Sequence, residues 1–573
     1  MEQSYLEPSD DEKLDLFIEQ AEYIPRNLFE EWTVHHLHER LIVNKLKQSG
    51  AKLLVGPRGC GKTTLMLKAY YAAKENNTLG IYVNYKSSLK LEPLYKQGST
   101  AHFWFNQWLL HKIAIGIFTT INDNYKDNEI LLEVINECLN LEELNEFINA
   151  IEIGSVKNSQ LENITIEKII ETIEKCLDIL KINRCIILLD DAAHAFSNQQ
   201  QQDFFELFKK LRRKNISPKA AVYPGVTKYS LNFHIGHDAE EINVWLTPNN
   251  QEYINFMHNI LMSRFTGVQY GLLCEDRNLI DLICYASYGI PRNLLNIISS
   301  LFLEDKSGID ASKLNIKHVH KVIKNSFEQT FEIYKSLKYK LPIYSNFVES
   351  GLKIYEILLE IVKQYNKNSQ KIPTSVIGIA QPLPSELSKI FEFFQYSGLI
   401  VNISESSRGT KATYEIFQLS ATAIISKNVF FSERTFSKDK YCLAFEHNQL
   451  RTYPRYLYST ILEKAEISLE NNMGLALPTC NACGAPRISA EAKFCSQCGA
   501  RLSESSVFES IVNQDIEVLP LTRNRVRSIK AQSKIRKIKD ILLDHDNSEL
   551  MKVDMVGSFW CNRIKSYAEE VIS

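Results

Sequence analysis

Gly56-Pro57-Arg58-Gly59-Cys60-Gly61-Lys62-Thr63-Thr64 has the residue types and spacing of a phosphate cradle. It reads G-x-x-x-x-G-K-T, and each position has a physical task. The glycines let backbone N–H groups turn inward around a β-phosphate with no side chain in the way. Lys62 reaches the β- and γ-phosphates, and Thr63 offers its hydroxyl to Mg²⁺. The expected ligands are ATP and Mg²⁺, held by residues 56–64. A chance glycine turn before a helix is the competing reading. The flanks argue against it, because apolar Leu53-Leu54-Val55 precedes the loop and a helix-like run, Leu65 to Tyr71, follows. A helix starting there adds its partial positive charge to the cradle.

Cys185-Ile186-Ile187-Leu188-Leu189-Asp190-Asp191 supplies the second set of groups. A continuous apolar run of this length reads as a strand buried on both faces of a parallel sheet. Its two acids fall at the C-terminal end, where open α/β sheets bind ligands. Asp190 is expected to hold Mg²⁺, directly or through water, and Asp191 to polarise the attacking water. A helix N-cap is the alternative for two adjacent acids. Pro218 to Thr227 reads as a further central strand ending on a polar residue. Thr227 is the candidate sensor of the γ-phosphate, with Lys228 as the neighbouring alternative.

Cys480-Asn481-Ala482-Cys483 and Cys495-Ser496-Gln497-Cys498 are each followed by Gly-Ala. Such knuckles aim backbone amides at the sulfurs, and four thiolates around one ion match tetrahedral Zn²⁺. The stretch between the pairs is too short for a hydrophobic core. Metal binding would itself supply the folding free energy, on the order of 10 kcal/mol. Four protein ligands close the site, so its expected role is structural. A redox-active dithiol is the alternative.

These groups sit in a chain of 573 residues, enough for three to five domains at roughly 100–200 residues each. Hydrophobic residues at 45% and charged residues at 23% are ordinary for a globular protein. The net charge of −2 means that nucleic-acid contact must come from local patches. No apolar run approaches the roughly 18 residues of a membrane span, and Met1 to Tyr5 show no leader pattern. The 12 cysteines are mostly single, as at Cys138, Cys176, Cys185 and Cys284. This usage fits a reducing cytoplasm with one metal site.

Several elements are needed to position the groups. Residues 1–20 are acidic and read as loosely held. Glu31 to Lys47 reads as a helix, and Gly80 to Lys86 as an alternating strand. From about 100 to 181 apolar residues recur at three- and four-residue spacing, predicting a helical insertion. Phe103, Trp104, Phe105 and Trp108 are its expected core. Gln201 to Lys214 reads as another helix. Tyr288-Gly289-Ile290-Pro291-Arg292-Asn293 opens an apolar helix running to about Leu303.

A phosphate loop, an apolar strand ending Asp190-Asp191 and the Gly289-Ile290-Pro291-Arg292 helix, in this order, resemble the AAA+ ATPases. The likeness is to the origin-recognition-like branch and related STAND signalling ATPases, over about residues 20–330. It implies a nucleotide core at 1–250 and a helical lid at 251–340, from which Arg292 reaches back as a second sensor. It also implies homo-oligomers in the ATP state. Asp191 replaces the longer Glu of many such ATPases, so hydrolysis is expected to be slow. No arginine follows Thr227, where a finger acting on a neighbouring subunit often lies. Arg212, Arg213 and Arg264 are the substitutes, each otherwise part of a solvated basic face.

Residues 345–430 look like a winged helix, with helices at Leu352 to Val362, Thr374 to Ala380 and Pro384 to Phe394. A two-stranded wing, Leu399 to Ile403 and Thr413 to Phe417, turns at Ser407 to Lys411. The third helix carries only Lys389, few cations for reading bases. Arg408 and Lys411 in the wing are placed to hold a phosphate. A protein-contact module is the alternative. Residues 431–475 form a connector, and 476–503 resemble the short zinc ribbons of many bacterial proteins. Residues 515–573 resemble the C-terminal domain of the RNA polymerase alpha subunit, a small all-α helix-hairpin-helix fold with Val556-Gly557 as hairpin. Arg523, Arg525, Arg527, Lys530, Lys534, Arg536, Lys537 and Lys539 form a run without acids. With Gly557 they are the expected nucleic-acid contacts, docking onto a protein being the alternative. The combined expectation is an α/β P-loop ATPase acting as a switch on DNA. Its rival is a nucleotide-gated signalling ATPase whose C-terminal modules recognise a protein.

Overall fold

The computed structural model describes residues 20–86, 101–152, 163–191, 198–302, 314–368, 373–408, 412–431, 436–447, 452–488, 492, 494–500, 502, 511–519, 521, 523–544, 546–554 and 556–572. The acidic segment 1–19, the wing turn 409–411 with Lys411, and the side chain of Arg408 lie outside the described residues.

Helices α1 (Arg26–Phe29) and α2 (Leu37–Lys47) lead into β1 (Lys52–Val55), the glycine loop and α3 (Lys62–Ala73). Then come β2 (Leu79–Asn84), α4 (Ala101–Asn124), α5 (Glu129–Cys138), α6 (Leu141–Glu152), α7 (Ile166–Leu180), β3 (Cys185–Asp190), α8 (Asn198–Leu211), β4 (Ile216–Val222) and β5 (Glu240–Asn243). The strands form one sheet, ordered β2-β3-β4-β1-β5, with every pair parallel.

The two-residue period of a strand divides the apolar runs between two faces. Leu53, Ile187, Leu189 and Ala220 face Trp108 and Ile113 of α4 and Ile169 and Ile173 of α7. Leu54, Ile186, Leu188 and Ala221 face Leu65, Met66 and Ala69 of α3. Helices α4 to α7 therefore also lie in the crossover that joins β2 to β3. Phe105 and Trp108 are buried as expected, whereas Phe103 is 42% exposed. Helix α2 starts at Leu37 rather than Glu31, because the His36 side chain accepts the His38 N–H and caps it.

The second half opens with α9 (Tyr253–Arg264), α10 (Gly267–Leu273), α11 (Arg277–Ala286), α12 (Pro291–Phe302) and α13 (Ile316–Lys340). Next are α14 (Ser345–Asn368), β6 (Val376–Ala380), α15 (Ser385–Ser397), β7 (Ile400–Arg408), β8 (Ala412–Leu419), α16 (Ala421–Ser426), α17 (Lys438–Glu446), β9 (Arg455–Tyr456), α18 (Tyr458–Lys464) and α19 (Leu469–Asn472). A second sheet, ordered β7-β8-β6-β9, unites these strands.

Thr374 to Ala380, expected as a helix, is instead dominated by strand β6. Val376, Ile377 and Ile379 are β-branched, and the segment pairs with β8 on one side and β9 on the other. One helix, α15, thus separates β6 from the β7–β8 hairpin. The stretch 431–475 is more than a connector, since it contributes β9 to the sheet. Three last helices, α20 (Arg523–Gln532), α21 (Ile538–Leu543) and α22 (Ser558–Ile572), enclose Val526, Ile529, Ile538, Ile541 and Ile564. Arg563 on α22 donates to Asn296 Oδ1 on α12 at 3.0 Å.

Candidate nucleotide site

The loop between β1 and α3 turns back on itself through Gly59 at φ 82° and Gly61 at φ 95°, a region most side chains avoid. A Cβ on Gly59 would lie 2.9 Å from Arg292 Cβ. The Arg292 N–H donates to Gly59 O at 3.4 Å. The first turn of α12 therefore rests directly on the loop. Lys62 is buried, its Nζ donating to Gly56 O at 2.7 Å and Pro57 O at 3.0 Å. The same ammonium lies 3.8 Å from the Tyr223 ring centroid. Burial pushes its pKa down, opposed by Cys60 and the carboxylates of Asp191 and Asp190.

Asp190 ends β3 with 1% of its surface exposed. It accepts from Tyr82 Oη at 3.0 Å and from the Thr63 hydroxyl. Burial pushes its carboxyl up to about 7, with the charges of Asp191 and Glu22 adding to the effect. Carboxylates that crowd one another beside a hydroxyl form an oxygen-only donor set, and it suits a hard cation such as Mg²⁺. Asp191, at φ 50°, donates its N–H to Asp190 Oδ1 at 3.0 Å. Its Oδ1 accepts from Tyr223 Oη at 2.8 Å.

Thr227 stands elsewhere. Its hydroxyl accepts the Tyr223 N–H at 3.0 Å and closes the turn after β4. It is not among the residues lining the cleft, while Tyr223 is. The strand ends at Val222, so the residue at its tip is Tyr223. The dipeptide Pro224-Gly225 signals that turn in the sequence. Lys228 donates its N–H to Gln201 on α8. Arg212 and Arg213 are exposed and bond to backbone carbonyls nearby.

The loop, the end of β3 and the start of α12 open onto one cleft. Arg58, Lys62, Thr63, Asp191 and Arg292 are among its polar lining residues. Ile24, Trp32, Val34, Ile260 and Leu295 are among its apolar lining residues. Arg264 lies inside it, 7% exposed, with Nε donating to Trp32 O at 3.1 Å. Burial holds its guanidinium down to about 10. Among the residues not foreseen is Glu22, whose pKa burial raises and which accepts from Asn84 Nδ2. Neither Glu22 nor Trp32 carries a local motif; both reach the cleft by tertiary packing.

The four cysteine sulfurs lie within 4.8 Å of one another. Cys480–Cys498 and Cys483–Cys495 are each 3.6 Å apart, close to the roughly 3.8 Å edge of a tetrahedron with Zn–S bonds of about 2.3 Å. The two knuckles repeat one pattern: Cys480 N–H to Ala485 O, and Cys495 N–H to Ala500 O, both at 2.8 Å. The donor set fits Zn²⁺.

The tail cations are not equivalent. Lys530 is paired with Asp515 and Glu517. The Arg525 guanidinium lies 3.4 Å from the Trp560 ring centroid. Arg523, Arg527, Lys534, Arg536 and Lys537 are exposed, as is Gly557 just before α22.

No protein-family model matches the chain, and no curated protein matches it. Among solved structures it is similar to the Aeropyrum pernix ORC1 protein in complex with DNA, at 13% identity and a TM-score of 0.28, over 73% of this chain and 95% of that one. A second is Drosophila ORC bound to DNA, at 12% identity and a TM-score of 0.23, over 69% of this chain and 94% of that one. Likenesses this weak carry no argument about fold or function.

Proposed function

We propose that this chain is an ATP-binding switch of the AAA+ type, with slow hydrolysis, whose C-terminal modules engage DNA. The observation that carries the nucleotide reading is the convergence of Lys62, Thr63, Asp191 and Arg292 on one cleft, with Thr63 hydrogen-bonded to the buried Asp190 at the end of β3. Lys62 and the loop amides bind the phosphates, and Arg292 reaches them from α12. Thr63 and Asp190 hold Mg²⁺, which when bound neutralises phosphate charge. Asp191 orients the attacking water, so that catalysis is positional and electrostatic. The working division is a nucleotide core at 1–250, a lid at 251–340, a winged-helix-like unit at 345–430 built with one helix between its strands, a zinc ribbon at 476–503 and a helix-hairpin-helix-like unit at 515–573.

Calorimetry with ATP and Mg²⁺ tests it. Lys62→Ala should abolish measurable binding, and Arg292→Ala should weaken it about ten-fold, as losing one charged contact does. Tight binding to Lys62→Ala would refute the site. The exposed tail cations favour a DNA backbone over a protein partner, the second reading being a signalling ATPase.

A further inference from the structure

Tyr223 joins three parts of the molecule. Its ring lies under the Lys62 ammonium, and its hydroxyl donates to Asp191. The ring also meets Tyr396 of α15 edge-on, with centroids 5.9 Å apart. Helix α15 is clamped to the same turn. Lys389 Nζ donates to Gly225 O at 2.6 Å. A Cβ on Gly225, at φ 77°, would fall 2.5 Å from the Glu392 backbone. Only glycine lets α15 approach this closely.

We propose that Tyr223 positions Asp191 and relays the state of the phosphate loop to α15, so that a bound nucleotide changes how α15 docks on the nucleotide domain. This rests on the nucleotide reading of the cleft. A triphosphate competes for the Lys62 ammonium, which now holds two loop carbonyls and faces the ring. Moving Nζ toward phosphate removes the cation from the ring. The phenol fixes one Asp191 oxygen and leaves the other to accept from water. Burial and the Asp191 charge keep the phenol protonated, hence a donor. Any shift of the ring is felt at Tyr396, because packed interiors transmit small displacements.

Amide hydrogen exchange of residues 385–397 in the full chain, with and without a slowly hydrolysed ATP analogue and Mg²⁺, reads the relay. The wild type should change exchange there several-fold on binding. Tyr396→Leu, which leaves the cleft intact, should bind the analogue within about three-fold but lose the exchange response, since packing contacts couple locally. Lys389→Ala, which removes no buried apolar group, should show the same loss. Tyr223→Phe keeps the ring, so affinity should hold while single-turnover hydrolysis falls about ten-fold, the effect of losing a hydrogen bond to a charged group. Unchanged exchange in wild type that has bound the analogue, or full hydrolysis by Tyr223→Phe, would overturn the relay. Failure of the wild type to bind the analogue would instead overturn the nucleotide reading beneath it.

Discussion

Asp191 and Lys219 show how position rather than residue type sets behaviour. Asp191 faces the cleft with one oxygen engaged by Tyr223. Asp191→Asn should retain ATP but slow its turnover about a hundred-fold, the range of an acid–base group; phosphate release at saturating ATP checks this. Lys219 is buried in β4, its Nζ donating to Gln48 O at 2.7 Å and to Gly50 O. Burial first, then Lys52, holds its ammonium down to about 7, although Glu240 opposes the shift. In an unfolded chain lysine titrates near 10.4. Between those values the unfolded state binds more protons, so this group makes stability rise with pH. Denaturant unfolding should show a gain of about 2 kcal/mol from pH 7 to 9, absent in Lys219→Met.

At the scale of elements, the cysteine knuckles and α15 behave oppositely. The knuckles make a satellite cluster of Cys480, Ala485 and Cys495, too few apolar groups to fold without an ion. One zinc per chain should be found by elemental analysis. Cys495→Ser should release it and unfold residues 476–502, with the cleft still binding ATP; retention of the metal would refute the four-ligand set. Helix α15 instead buries Leu387, Ile390, Phe391, Phe393 and Phe394. Truncating Phe391 to Ala should cost about 3–5 kcal/mol, read as a loss of thermal stability. An apolar, clamped helix with Lys389 already engaged is ill suited to read bases.

Over the whole molecule, charge is nearly balanced, and the proposed DNA contact is assigned to the exposed side of α20 and its following turn. Binding of the full chain to non-specific duplex DNA should weaken with salt by about 0.9 log units per log unit for each phosphate neutralised. Replacing Arg523, Arg527 and Lys534 together by Ala should lower that slope by about three. A slope that stays the same, measured by fluorescence anisotropy, would assign the tail to a protein partner. Arg563 of α22 also bonds to Asn296 on α12, the helix whose Arg292 and Leu295 line the cleft.

The amino-acid order by itself determined what depends on neighbours along the chain. The glycine loop, the buried run ending in Asp190 and the cysteine knuckles are local patterns whose backbone demands are met within a few residues. The Gly289 to Arg292 turn belongs with them, since proline and glycine mark the start of α12. Tertiary structure alone decided what depends on partners far away. Residues Thr374 to Ala380 have too few periods to tell helix from strand, and pairing with both β8 and β9 settled it. The end of β4 before Tyr223 was by contrast a local matter, signalled by Pro224-Gly225. Glu22 and Trp32 entered the cleft, and Lys530 was neutralised, through contacts no local pattern encodes. Packing free energy is shared among residues distant in sequence, so the groups that complete a site are fixed only when the chain closes around it.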